Sequence, residues 1–156
     1  MLKTSILRRG GYAFIAVMSF VWLGSVKATE PTSSIININL PKDIKWVENE
    51  KAGSAQAIMV GDPAKPGLYI VLTKWHAHHM SRPHFHANDR FITVLEGTWW
   101  VGTGTKYDPD STTALPKGSF VTHYGKGIHY DGAKDADVTL EILGMGPGTS
   151  VPAEVK

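Results

Sequence analysis

His84 and His86 stand two apart at the head of the run PHFHANDRFITVLEG, residues 83–97. Side chains two apart on an extended strand share a face. The two imidazoles therefore aim at one spot, and imidazole is a ligand for Zn, Fe, Ni and Cu. Such a pair is half of a metal site, and a later histidine-bearing stretch is placed to complete it. The chain has no cysteine, so disulfides and thiolate ligands are excluded and any metal must be held by His, Asp, Glu or water.

The elements that must position these rings belong to a chain of 156 residues, long enough for one domain with a real core. Hydrophobic residues make up 42% and charged residues 19%, and 16 glycines and 9 prolines are spread along the chain. That pattern fits many short strands joined by turns. Residues 1–28 read as a secretory signal: Lys3, Arg8 and Arg9, then the apolar run Tyr12 to Leu23, then Val26-Lys27-Ala28 with small residues placed for cleavage after Ala28. The rival reading is an uncleaved anchor, but the run is short of the roughly 20 residues a span needs. Arg8-Arg9 raises the twin-arginine route, which Gly10-Gly11-Tyr12 fits poorly. Residues 1–28 hold four of the 16 basic residues and none of the 14 acidic ones, so the mature chain carries 12 basic against 14 acidic residues, a net charge of −2. No basic patch argues for nucleic acid. The expected location is periplasmic or secreted, with no membrane partner after cleavage.

After a loose leader, Ile35 to Leu40 reads as an edge strand stopped by Pro41, and Ile44 to Glu48 and Ala55 to Val60 as further strands. Leu68 to Trp75 is rich in β-branched and aromatic residues and reads as a buried strand. Phe91 to Leu95 and Thr98 to Val101 are expected to form a hairpin with Gly97 at its tip. Ser119 to His123, Ile128 to Tyr130 and Val138 to Leu143 complete the strands, with Asp131 to Asp137 as a polar turn. Turns recur at the spacing of an all-β sandwich or barrel. No sustained helical periodicity follows residue 28, and there is no internal repeat. The expectation is a single domain over residues 29–156.

These residues resemble the cupin superfamily, whose first motif is G-x5-H-x-H-x3,4-E-x6-G and whose second is G-x5-P-x-G-x2-H-x3-N. His84, His86 and Gly97 match the first motif, and Gly118 and His129 the second. Arg90 stands where the family has its glutamate and His78 where it has the first glycine. Tyr124, Lys126 and Ala133 replace the second motif's proline, glycine and asparagine. The resemblance covers residues 68–143 and is nearest to small secreted single-domain cupins, in which Gly-Asp-Pro precedes the histidines as Gly61-Asp62-Pro63 does here. It implies a double-stranded β-helix, a jelly-roll barrel, with a metal site inside. It also implies that His84, His86 and His129 are the ligands of a divalent ion, with Fe, Mn, Ni, Zn and Cu not distinguished.

Three imidazoles leave open positions for water, substrate or dioxygen, and three-histidine iron sites occur in thiol dioxygenases of this superfamily. A dioxygenase-like oxidoreductase acting on a small organic molecule is therefore one reading. A metal-free barrel that binds a small molecule or is purely structural, its histidines hydrogen-bonded in the core, is the other. Arg90 must point away, pair with Asp89 or another carboxylate, or hold an anionic substrate. Asp89 is either a shifted ligand or a turn residue paired with Arg90. His123, Tyr130 and Trp99 join Arg90 as candidates for substrate contact, with Trp75, Trp99, Trp100 and Tyr130 first of all wall residues. His76 and His78 are read as exposed loop residues and Glu96 as solvated. Homodimer formation through an exposed strand such as Ile35 to Leu40 is a further expectation.

Overall fold

A computed structural model describes Thr32 and residues 35–155. The signal-like segment 1–28 lies outside the described residues. The chain divides into two units between Ile38 and Asn39. In the first, the amides of Ile35 and Ile36 donate to the Thr32 carbonyl, forming a turn. The edge strand expected over Ile35 to Leu40 does not form: the segment has no ladder, and Ile35, Ile36, Ile38 and Leu40 are exposed. Ile35 and Ile36 are adjacent, so a strand here would send one of them to each face.

The second unit is all-β, as expected. Its strands are β1 (Val47–Asn49), β2 (Ser54–Val60), β3 (Gly67–Trp75), β4 (His84–Phe85), β5 (Arg90–Glu96), β6 (Thr98–Thr103), β7 (Thr113–Pro116), β8 (Phe120–His123), β9 (His129–Gly132), β10 (Val138–Gly146) and β11 (Val151–Pro152). They form two antiparallel sheets, one in the order β1-β2-β3-β10-β5-β8 and one in the order β11-β4-β9-β6-β7. This is the jelly-roll arrangement of a double-stranded β-helix. Among the described residues, no helix is long and apolar enough to cross a membrane.

Alternation places the core. On β5, Ile92 and Val94 are buried; on β10, Val138, Leu140 and Ile142; on β3, Tyr69 and Val71. These side chains meet Trp99 and Ala133 between the sheets. The β3 and β10 strands pair over their full lengths, Gly67 with Gly146 through Trp75 with Val138. That long ladder continues into β5, the strand that begins with Arg90, which pairs with β10 on its other edge.

Three expectations fail in instructive ways. The strand near Trp46 begins only at Val47, while the Lys74 ammonium lies 4.8 Å over the Trp46 ring. Strands β5 and β6 do not form a hairpin: β5 pairs with β10 and β8, β6 with β7 and β9. A one-residue link is shorter than the two residues a tight hairpin needs. Instead Gly97, at φ +76°, turns the chain from one sheet into the other, and a Cβ there would lie 2.3 Å from the Asp137 carbonyl oxygen. Finally, Asp131 is no turn residue. It extends β9 and is 5% exposed.

Candidate metal centre and its cavity

His84 and His129 are directly opposite one another where β4 pairs with β9, so the fold delivers two rings from distant parts of the sequence to one face. His86 follows just past the end of β4, and one ring nitrogen from each of the three lies within 4.8 Å of the others. Each ring is aimed by its other nitrogen. His84 Nδ1 contacts the Arg82 carbonyl at 2.8 Å, His129 Nδ1 the Gly127 carbonyl at 2.9 Å, and His86 Nδ1 the Thr149 carbonyl. A carbonyl only accepts, so each Nδ1 carries the proton and each Nε2 is left as a bare lone pair. His84 Nε2 and His86 Nε2 then stand 3.1 Å apart with no proton to share, while His129 Nε2 is enclosed with no hydrogen-bond partner. Lone pairs facing each other repel unless a cation joins them. Two nitrogens each about 2.1 Å from one metal, at 90–109°, lie about 3.0–3.4 Å apart. The donor set fits a divalent ion.

The protonation state agrees. His86 is pushed down to about 3, first by burial and then by the Arg90 charge. His123 is pushed down to about 2, by burial and then by His129 and Arg90. His129 is lowered by burial, against an upward pull from Asp131. These three rings are neutral at pH 7, as a metal ligand must be.

Arg90 is on the inward face. It shares its parity on β5 with Ile92 and Val94 and stands opposite His123 in the ladder. Its Nη2 lies 3.3 Å from His123 Nδ1. Guanidinium only donates, so His123 accepts on Nδ1 and carries its proton on Nε2. That N–H is enclosed without a partner. His123, His129 and Asp131 also bring ligand atoms together, but in this tautomer His123 offers a hydrogen rather than a lone pair. The His84–His86–His129 group is the better metal site. Burial lowers the Arg90 pKa, against the opposing pull of Asp131.

The expected Asp89–Arg90 pair is absent: Asp89 Oδ1 accepts from the Gly125 amide at 2.7 Å and ties the loop before β9 to the loop before β5. Trp99 is 1% exposed, its indole N–H enclosed without a partner and its ring 5.3 Å from His123. Tyr130 is not brought to the cavity. Lying between inward His129 and Asp131, it points the other way, donates to the Asp108 carbonyl, and packs its ring so closely on Gly102 that a Cβ there would lie 2.2 Å away. His78 is exposed, and His76 is held outside by Glu48 and Asp137. Asp131 is the residue the sequence reading missed. Its spacing of two from His129 on a strand was the available signal; its carboxylate lines the cavity 3.8 Å from His129 Nε2.

His84, His86, Arg90, Trp99 and Asp131 line a cavity of about 630 Å³, within the range of small-molecule sites, while His123 and His129 are not among its lining residues. Much of its wall is apolar, from Tyr69, Val71, Trp75, Trp99, Leu140 and Ile142. The C-terminal segment closes one side: β11 pairs with β4, Thr149 holds His86, and Arg82 stacks on Tyr107 and pairs with Glu154.

No family model and no curated protein sequence matches the chain. Solved structures do. The polyketide cyclase RemF from Streptomyces resistomycificus aligns at a TM-score of 0.63 and 14% identity, over 78% of this chain and 87% of that one. A cupin-2 domain from Rhodospirillum rubrum aligns at 0.54 and 13%, over 73% and 76%. A cupin-like protein from Thermotoga maritima aligns at 0.53 and 15%, over 64% and 77%.

Proposed function

The chain has the cupin barrel fold, and on that premise we propose that it is a metal-dependent protein that takes a small organic molecule into the barrel. The observation that carries this reading is the convergence of three bare Nε2 lone pairs, each fixed by a backbone carbonyl on the far side of its ring. His84, His86 and His129 would hold the ion. A divalent metal there supplies a Lewis acid or, if it is iron, redox chemistry toward dioxygen. The chain's own part is to bind and to exclude water. The apolar wall takes the body of the substrate, Asp131 offers a carboxylate beside His129, and Trp99 and Arg90 border the reacting region. A dioxygenase-like oxidoreductase is the enzymatic form of this reading. RemF, a cyclase on a similar barrel, illustrates that the fold alone does not select a reaction.

Metal analysis of untagged protein purified without chelator and then reconstituted tests the proposal. The expected result is close to one equivalent per chain; occupancy that stays far below one after reconstitution overturns it. The second reading, a metal-free ligand-binding barrel, draws on the Arg90 charge acting on His86. The segment 1–28 supports export to the periplasm or beyond, and N-terminal sequencing of the mature protein should begin at Thr29.

A further inference from the structure

The groups in and behind the cavity wall divide by hydrogen-bonding sense. On one side are the lone pairs of His84, His86 and His129. On the other are enclosed donors with nothing to accept from them: Arg90 Nε, Trp99 Nε1 and, behind the wall, His123 Nε2. An enclosed donor without an acceptor costs about 1–3 kcal/mol, and two of these three donors, on Arg90 and Trp99, belong to residues that line the cavity, which is where a missing acceptor would enter. Arg90 adds a permanent positive charge. Among the described residues no carboxylate lies within ion-pair distance of it, and the nearest acid acting on it, Asp131, does so through space. The other arginine lining the cavity, Arg82, is taken by Glu154 and Tyr107.

A divalent ion on the three lone pairs would add positive charge to a low-dielectric site that already holds the Arg90 guanidinium. That argument rests on the metal reading above; the unsatisfied donors do not. One guanidinium, with no lysine in the lining and an apolar wall opposite, suits a single planar carboxylate on an apolar body better than a phosphate. We propose that the cavity takes a small organic carboxylate, clamped by Arg90, with His123 fixing the Arg90 side chain from behind.

Titration calorimetry with benzoate, butyrate, benzyl alcohol and inorganic phosphate tests this, on metal-free protein and on protein reconstituted with Zn²⁺. At least one of the two carboxylates should bind the zinc-loaded protein, more tightly than the metal-free protein. Benzyl alcohol should bind about 10-fold more weakly or worse, as expected for loss of a charge-assisted pair. Arg90→Gln should weaken carboxylate binding by about 30-fold or more while leaving zinc stoichiometry and benzyl alcohol binding in place. Arg90→Lys, which keeps the charge and loses the fork, should fall between, and it carries the test if the glutamine variant does not fold. Carboxylate binding that is absent from the wild type, or unchanged in these variants, overturns the proposal, as does tighter Arg90-dependent binding of phosphate. Arg90-dependent carboxylate binding in a protein that refuses zinc keeps this proposal and ends the metal reading. Zinc uptake without carboxylate binding does the reverse.

Discussion

The histidines of the barrel interior and His76 on its surface are the same side chain put to opposite uses. Inside, His84, His86 and His129 each face a backbone carbonyl on one nitrogen and each other on the second. Outside, His76 faces carboxylates on both, Glu48 Oε2 at 3.0 Å from Nε2 and Asp137 Oδ2 at 3.3 Å from Nδ1. Burial and the Arg90 charge drive His86 down; Glu48 first, then Asp137, drive His76 up. Partner chemistry, not residue type, decides which ring is held toward its neutral form and which toward its charged form.

The largest test of this contrast is acid. For His86 and His123 the folded pKa lies below the unfolded one, so their contribution is intact above pH 6.5 and lost as pH falls toward about 3 and about 2. Each costs up to about 1.4 kcal/mol per pH unit in that window. Urea unfolding of metal-free protein at pH 7, 5.5 and 4.5 should show a steep decline, flattened in His123→Asn.

Next is ligand removal. His84→Ala or His129→Ala should weaken metal binding by more than about 100-fold, beyond the 10–100-fold typical of outer-shell changes. Competition with a chromogenic chelator reads this, and a change under tenfold would break the assignment.

Metal removal from the wild type should come third. An ion present at 100 times its Kd adds about 2.7 kcal/mol to the folded state, so verified stripping should lower the melting midpoint by about 5–15 °C.

The surface histidine gives the smallest effect and the opposite sign. Its folded pKa is raised, so its stabilisation is present below pH 6.5 and lost as pH rises through the folded value. Glu48→Gln should cost less than about 1 kcal/mol at pH 6 and nothing measurable at pH 8.5 by thermal melt. An equal cost at both would mean that Glu48 acts through packing.

Much of the fold was legible because alternation is a local property. Ala55 to Val60, Leu68 to Trp75 and Val138 to Leu143 all read correctly from their β-branched, aromatic and apolar residues between turn signals. A period of two put Arg90 on the face of Ile92 and Val94 and could have put Asp131 beside His129. Composition hid both, because a charged residue next to a turn reads as solvated until the opposing sheet is known. The β5–β6 hairpin failed for a related reason: Gly97 marks a reversal, but the sequence does not say which sheet the next strand enters. Nor could residues 147–155 disclose that they close the cavity, since Thr149 acts through its carbonyl, a group every residue has.

The spacing within the chain by itself determined two facts: that His84 and His86 share a face, and that the protein is built of short strands. Only tertiary structure decided that His129 joins them, that three carbonyls strip the converging nitrogens of their protons, and that Arg90 turns inward with no carboxylate of the described residues within ion-pair distance. Local spacing fixes the direction of a side chain along its own strand. Which lone pairs and which charges meet across a barrel depends on strand pairing between segments far apart in the chain, and that is a property of the whole packed sheet.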